Sequence, residues 1–171
     1  MTDIEFTEKV NTYKNMIFRL ALTYLKNIQE AEDVTQDVFI KLFKCDKKFK
    51  TAEDERAWLI RVTINASKDV LKSAWLKRTV PIVEDIPFEH EEHGELFYAV
   101  HQLESKYRSV IHLYYYEDYS IRDISKILRI KETTVQTRLY RARKQLKDIL
   151  NKEFQADKYY ESKEGLYETG L

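Results

Sequence analysis

Between Thr133 and Lys144 the chain places Arg138, Arg141, Arg143 and Lys144 among Thr134, Gln136, Thr137 and Tyr140. These residue types suit the major groove of a duplex. Arg can pair bidentately with guanine and Gln with adenine, while the remaining cations neutralise phosphates and make affinity salt-dependent. The bland alternative is a basic amphipathic helix whose charges only face water. A second cationic stretch, Lys47, Lys48 and Lys50 around Phe49, lies far upstream. Elsewhere the chemistry is sparse, with no nucleophile-base set and no Gly-rich phosphate loop. His90 and His93 form H-E-E-H, one residue short of a zinc-type H-E-x-x-H, in a Gly/Pro-containing stretch without further ligands nearby. The single Cys45 excludes an intramolecular disulfide and has no thiolate-stabilising neighbours. A binding protein is therefore expected, with no catalytic residues, metal or cofactor.

Helices must position these residues. Val10, Tyr13, Ile17, Leu20 and Tyr24 step by 3 and 4, which predicts a helix over about 4–26, and Ala31, Val34, Val38 and Leu42 predict another over 29–44. Leu59, Val62, Ala66 and Val70 mark a third over 53–76. Periodicity stops at Pro81 and Pro87 and resumes from Leu96 through Ile149. Residues 120–147 read as two short helices joined by a break near Arg129 to Thr133, the proportions of a helix-turn-helix, with Thr133 or Thr134 expected to cap the second. The preceding helix and turn favour DNA over the bland alternative. With Val135, Leu139, Ala142 and Leu146 turned inward, the outer face carries Thr133, Thr137, Tyr140, Arg141 and Lys144. Gln136 and Arg143 lie at one margin, Thr134 and Arg138 towards the other. Tyr114, Tyr115 and Tyr116 are expected to pack behind this unit.

The fold expected is all-α: an N-terminal helical domain (1–76), an acidic flexible linker (77–95), a C-terminal helix-turn-helix domain (96–152) and an acidic tail without assigned role (153–171). The chain has 171 residues and 29 basic against 29 acidic side chains, which rules out a uniformly polycationic protein. Yet residues 131–152 hold seven basic against two acidic, net +5, while 73–95 hold two against six, net −4. No apolar run reaches the ~20 residues of a membrane helix, and the acidic N-terminus is unlike a signal peptide, so a cytoplasmic protein without direct membrane insertion is expected.

Leu128 through Arg143, LRIKETTVQTRLYRAR, resembles the recognition segment of the extracytoplasmic-function (ECF) sigma factors of bacterial RNA polymerase, approximately L-G-I-P-x-G-T-V-K-S-R-L-x-R-A-R. Thr134, Val135, Arg138, Leu139, Arg141, Ala142 and Arg143 match, whereas Arg129, Lys131 and Thr133 replace two glycines and a proline. The resemblance implies that Thr133, Thr134, Gln136, Thr137, Arg138, Tyr140, Arg141, Arg143 and Lys144 contact the promoter's minus-35 element.

Two N-terminal segments carry the same resemblance. AEDVTQDVFIKLF, residues 31–43, is similar to A-E-D-x-x-Q-E/D-V-F-x-x-L-W/F. It implies that the polar face formed by Asp33, Gln36, Asp37 and Lys41 docks the β′ clamp helices of core polymerase. WLIRVTINASKDVLK, residues 58–72, is similar to W-L-x-R-I-A-x-N-x-x-x-D-x-L-R, although Glu55 stands where a Phe is usual and Lys72 replaces Arg. It implies a minus-10 reader, which holds an unstacked base and runs cations along the backbone: Lys47, Lys48, Phe49, Lys50, Arg61, Asn65, Lys68 and Lys72. A core role for Trp58 is favoured over stacking on a base, Asp69 is expected to orient Arg or Lys side chains, and Phe49 is either loop anchor or stacking residue. The resemblance further implies contact with the β flap, promoter melting, a linker near the polymerase active centre, and a cognate anti-sigma factor, in many members membrane-anchored. The alternative is a helix-turn-helix regulator acting without polymerase; a hydrolase with an attached DNA-binding domain would need a carboxylate or His cluster that the sequence lacks.

Overall fold

The computed structural model describes residues 2–76 and 94–167, with side chains through 73, at 96 and over 98–152. Among these residues every regular element is helical. The expected linker, including His90 and His93, lies almost wholly outside them.

Helix α1 (Asp3–Leu25) starts in a capping box: the Thr2 hydroxyl accepts from the Glu5 amide while the Glu5 carboxylate accepts from the Thr2 amide. Each such cap is worth about 1 kcal/mol. Lys26, at φ 57°, ends α1, and the Asn27 side chain caps α2 (Ile28–Phe43) by accepting from the Glu30 amide at 2.8 Å. The tight joint makes α1 and α2 neighbours. Helix α3 (Ala52–Leu76) begins where Thr51 Oγ1 accepts from the Asp54 amide at 3.0 Å. The three helices pack around Ile17, Leu20, Tyr24, Val38, Leu59 and Ile60, all essentially inaccessible to solvent. Glu55, in place of the family's Phe, is buried beside this core, where Lys9 of α1 forms an ion pair with it and the Tyr13 hydroxyl lies 3.4 Å from its second oxygen.

The second unit comprises α4 (Gly94–Gln102), α5 (Ser105–Ile111), a π-helical turn (His112–Tyr116), α6 (Ile121–Leu128) and α7 (Glu132–Tyr167). Val110, Leu113, Ile124, Ile127, Val135 and Leu139 fill its interior. Helix α7 continues through residues 150–167, past Ile149 where the apolar stepping ends; no proline and no glycine before Gly165 interrupts it.

The halves, read from the sequence as separate domains on a flexible tether, are docked: α1 packs on α5, α3 packs on α6, and their apolar cores form one cluster. Polar contacts cross the junction as well. Thr23 Oγ1 lies 3.2 Å from His112 Nδ1, the Tyr24 and Ser109 hydroxyls are hydrogen-bonded, and Arg108, 5% exposed, donates to the carbonyls of Tyr24 (3.2 Å), His101 (3.1 Å) and Leu103 (2.7 Å). Arg56 Nη2 pairs with Glu117 Oε2 at 2.6 Å, and the guanidinium carbon Cζ lies 5.0 Å from the Tyr119 ring centre. Glu117 Oε1 in turn sits 3.3 Å from His112 Nε2. Burial pushes the Glu117 carboxyl up, but His112 and Arg56 outweigh it and hold the group below its ordinary value.

Candidate nucleic-acid and polymerase interfaces

The helix-turn-helix is α6 and the first turns of α7. Ser120 caps α6 by accepting from the Asp123 amide at 3.1 Å. The turn needs a left-handed residue, which the family supplies as glycine; here Arg129 takes φ 55°. The turn is braced instead by Ser125, whose hydroxyl donates to the Ile130 carbonyl at 2.7 Å while its own carbonyl accepts from the Ile130 amide at 3.1 Å. The expected Thr cap is corrected. Helix α7 starts at Glu132, since the Thr134 and Val135 amides both donate to the Lys131 carbonyl. Thr133 and Thr134 therefore lie inside the first turn, and Thr133 offers its carbonyl to the Thr137 hydroxyl at 2.8 Å.

Val135, Leu139 and Ala142 are buried, and Thr133, Gln136, Thr137, Tyr140, Arg141, Arg143 and Lys144 are exposed; Thr134 and Arg138 are half-buried at the margin. Arg143 is tethered: Nε donates to the Tyr115 hydroxyl at 2.8 Å, and its guanidinium lies 5.7 and 5.8 Å from the Tyr114 and Tyr115 ring centres. The tyrosine expectation is thus corrected in part. Tyr114 is half-buried, but Tyr115 and Tyr116 are 53% and 55% exposed, because the π-helical turn rotates them off the core; Tyr116 stacks on His112 at 5.5 Å.

On the first unit, Lys47, Arg61, Asn65 and Lys68 line one cavity of about 370 Å³ with Trp58. Lys48, Lys50 and Lys72 are exposed outside it. Phe49 is half-buried against Trp58, ring centres 5.5 Å apart, with Lys47 5.5 Å from its own, which makes it the anchor of the Lys-rich loop. Trp58 is half-buried and lines the cavity as well as packing on the core's edge, so it is not the fully interior residue expected. Asp69 is exposed and makes no ion pair or hydrogen bond with a described residue, so the orienting role is not seen. Cys45 is a half-buried free thiol.

Asp33, Gln36, Asp37 and Lys41 share the exposed side of α2, opposite buried Ala31, Val34, Val38 and Leu42. Ile40 and Phe43, each 50% exposed, lie among them, and Phe6 packs edge-on against Phe43 at 5.1 Å. The sequence reading places Phe43 beside the buried stripe and gives Ile40 no role, although Ile40 stands off the 31/34/38/42 positions. It also missed Ile127, Leu128 and Arg129 of the second unit, which complete the wall of the Asn65 cavity. No group of three or more His, Cys, Asp or Glu placed to hold a metal occurs among the described residues, and no described helix is long and apolar enough to cross a membrane.

Comparison with known proteins gives two family matches, Sigma-70 region 2 over residues 10–77 and Sigma-70, region 4 over residues 93–146. The ECF RNA polymerase sigma factor SigW of Bacillus subtilis (strain 168) is 31% identical over 168 residues, spanning 84% of this chain and 90% of that protein. RNA polymerase sigma factor SigV of the same organism is 26% identical over 152 residues, with the same coverage of both chains. The fold matches that of the sigma factor RpoE in its co-crystal structure with the anti-sigma factor NepR from Bartonella quintana, with a TM-score of 0.72, 20% identity and coverage of 86% of this chain and 97% of that one. With both sigma regions present in order and a relative of that identity matched along nine-tenths of its length, the chain belongs to the ECF subfamily of bacterial RNA polymerase sigma factors.

Proposed function

We propose a division of labour among three faces of a chain that, as an ECF sigma factor, binds core RNA polymerase, directs it to particular promoters through minus-35 and minus-10 recognition, and promotes DNA melting. The outer face of α7 reads the minus-35 duplex: Arg141 and Gln136 take base edges, Lys144 and Arg138 take phosphates, and Thr133, Thr134, Thr137, Tyr140 and Arg143 complete the contact. The loop of Lys47, Lys48, Phe49 and Lys50, with Arg61, Asn65, Lys68 and Lys72 of α3, receives the minus-10 non-template strand. Asp33, Gln36, Asp37 and Lys41, around the apolar Ile40 and Phe43, dock the β′ clamp helices. We further assign the β flap and a cognate anti-sigma factor as partners, residues 1–76, 77–95, 96–152 and 153–171 as working segments, and the cytoplasm as location. Sigma factors are non-enzymatic initiation factors, and polymerisation belongs to the partner.

The observation that carries this reading is the exposure of the Arg141 and Lys144 face above a buried Val135, Leu139 and Ala142 stripe, in a chain that also holds region 2. Mixing the purified protein with core polymerase and a promoter library tests it. Promoter-directed transcripts are expected; absence of both core binding and transcripts would sink the reading, and polymerase-independent dimeric binding to duplex DNA would favour a free-standing regulator.

A further inference from the structure

The cavity at Asn65 is walled by both units: Lys47, Arg61 and Lys68 come from the first, and Arg129 from the α6–α7 turn of the second. No carboxylate lines it, and none of the four cations forms an ion pair with a described residue. Docking therefore gathers four cations, three of them solvent-exposed, around one space, an arrangement that favours the entry of an anion. The remaining wall has a different chemistry. Trp58 offers an indole face, Asn65 an amide that both donates and accepts, and Val62 and Leu128 apolar contacts. The volume of about 370 Å³ falls within the range of small-ligand sites.

We propose that this junction binds a small phosphorylated nucleotide, its phosphates on Lys47, Arg61, Lys68 and Arg129 and its base against Trp58 and Asn65. Because Arg129 reaches the site only when the units are docked, such a ligand binds the docked form more tightly and stabilises it. The junction is imperfectly paired: Arg108 Nε is buried there without a hydrogen-bond partner, so docking gains less than a fully paired interface would. The ligand would also compete with the minus-10 strand for Arg61, Asn65 and Lys68. The site overlaps that face, but its ligand and its need for Arg129 do not depend on the promoter assignment.

The test uses the full chain alone, without polymerase or promoter. At low salt, calorimetric titration with ATP should show one site, pyrophosphate should bind more weakly, and adenosine should give no measurable heat. Arg129→Ala should lower ATP affinity about tenfold or more, the loss of a charged hydrogen bond, with helicity by circular dichroism confirming that the variant is folded. In Cys45→Ser protein spin-labelled at Lys14→Cys and Asp148→Cys, ATP should narrow the inter-label distance distribution, and Arg129→Ala should abolish that narrowing. No binding of ATP, equal affinity in Arg129→Ala, or a distribution broadened by ATP would each overturn the junction site. Equal affinity for pyrophosphate and ATP would overturn the nucleotide assignment.

Discussion

Arg143 and Tyr115 are joined by a 2.8 Å hydrogen bond from guanidinium to phenol, so one cation of the proposed DNA-reading helix is anchored on the π-helical turn before α6. In the proposed minus-35 contact, the tether orders a long side chain before DNA arrives and reduces the entropy lost on binding. Tyr115→Phe removes the acceptor and keeps the ring. The expected result is a loss of about 2- to 10-fold in minus-35 duplex affinity by fluorescence anisotropy, comparable with one hydrogen bond, and no additional loss when Tyr115→Phe is combined with Arg143→Ala.

Charge reversal at Asp37 and truncation of Arg141 should separate the two exposed faces. Asp37→Lys is expected to weaken core polymerase binding at least about tenfold, as a like-charge mismatch in an interface does, while isolated minus-35 duplex binding stays unchanged. Arg141→Ala should leave polymerase binding intact and lower duplex affinity by about 1–3 kcal/mol. Both variants hitting one step equally would contradict the division of labour.

Glu55 and Lys9 replace an aromatic contact with an ion pair at the edge of the first core. Glu55→Ala leaves a cavity and an unmatched ammonium. Because Lys9 is about a third exposed, the expected cost is only about 1–2 kcal/mol. Glu55→Phe alone should also destabilise, and adding Lys9→Leu should recover most of the loss. Urea unfolding of the four proteins gives the comparison.

The pH dependence of stability should carry the signature of Glu117. Its carboxyl lies below the ordinary 4.5 in the folded protein, so its contribution is complete well above that value and is lost as pH falls through 4.5 towards the lower folded value. Glu117→Gln should therefore lower the melting temperature at pH 7, and the gap from the parent protein should narrow progressively as the buffer is taken down from pH 4.5. A gap that stays constant across this range would exclude the Arg56 and His112 partnership as its source.

Much of the architecture was legible because the apolar stepping of Ile17, Leu20 and Tyr24, or of Val135, Leu139 and Ala142, reports directly which side of a helix is buried. The exposed and marginal positions of α7 follow from the same phase. What the pattern could not convey was the docking of the two units. Its contacts join Thr23 to His112 and Tyr24 to Ser109, 89 and 85 residues apart, through hydroxyls and a ring that look unremarkable in their own helices. The start of α7 was displaced for a local reason, because Lys131 supplies the first accepting carbonyl and leaves Thr133 and Thr134 inside. Tyr115 and Tyr116 departed from the helical phase because one π-type turn changes the angular step.

The uninterrupted course of α7 has a mechanical consequence. Thirty-six residues in one helix make a rod about 54 Å long, of which only the first few turns belong to the proposed reading face. On the proposed minus-35 reading, a partner that grips the far end would hold a lever whose short arm carries Arg141 and Lys144, and a small tilt there would sweep those side chains out of register with the base pairs. On that reading the far end of the helix has leverage over occupancy of the groove.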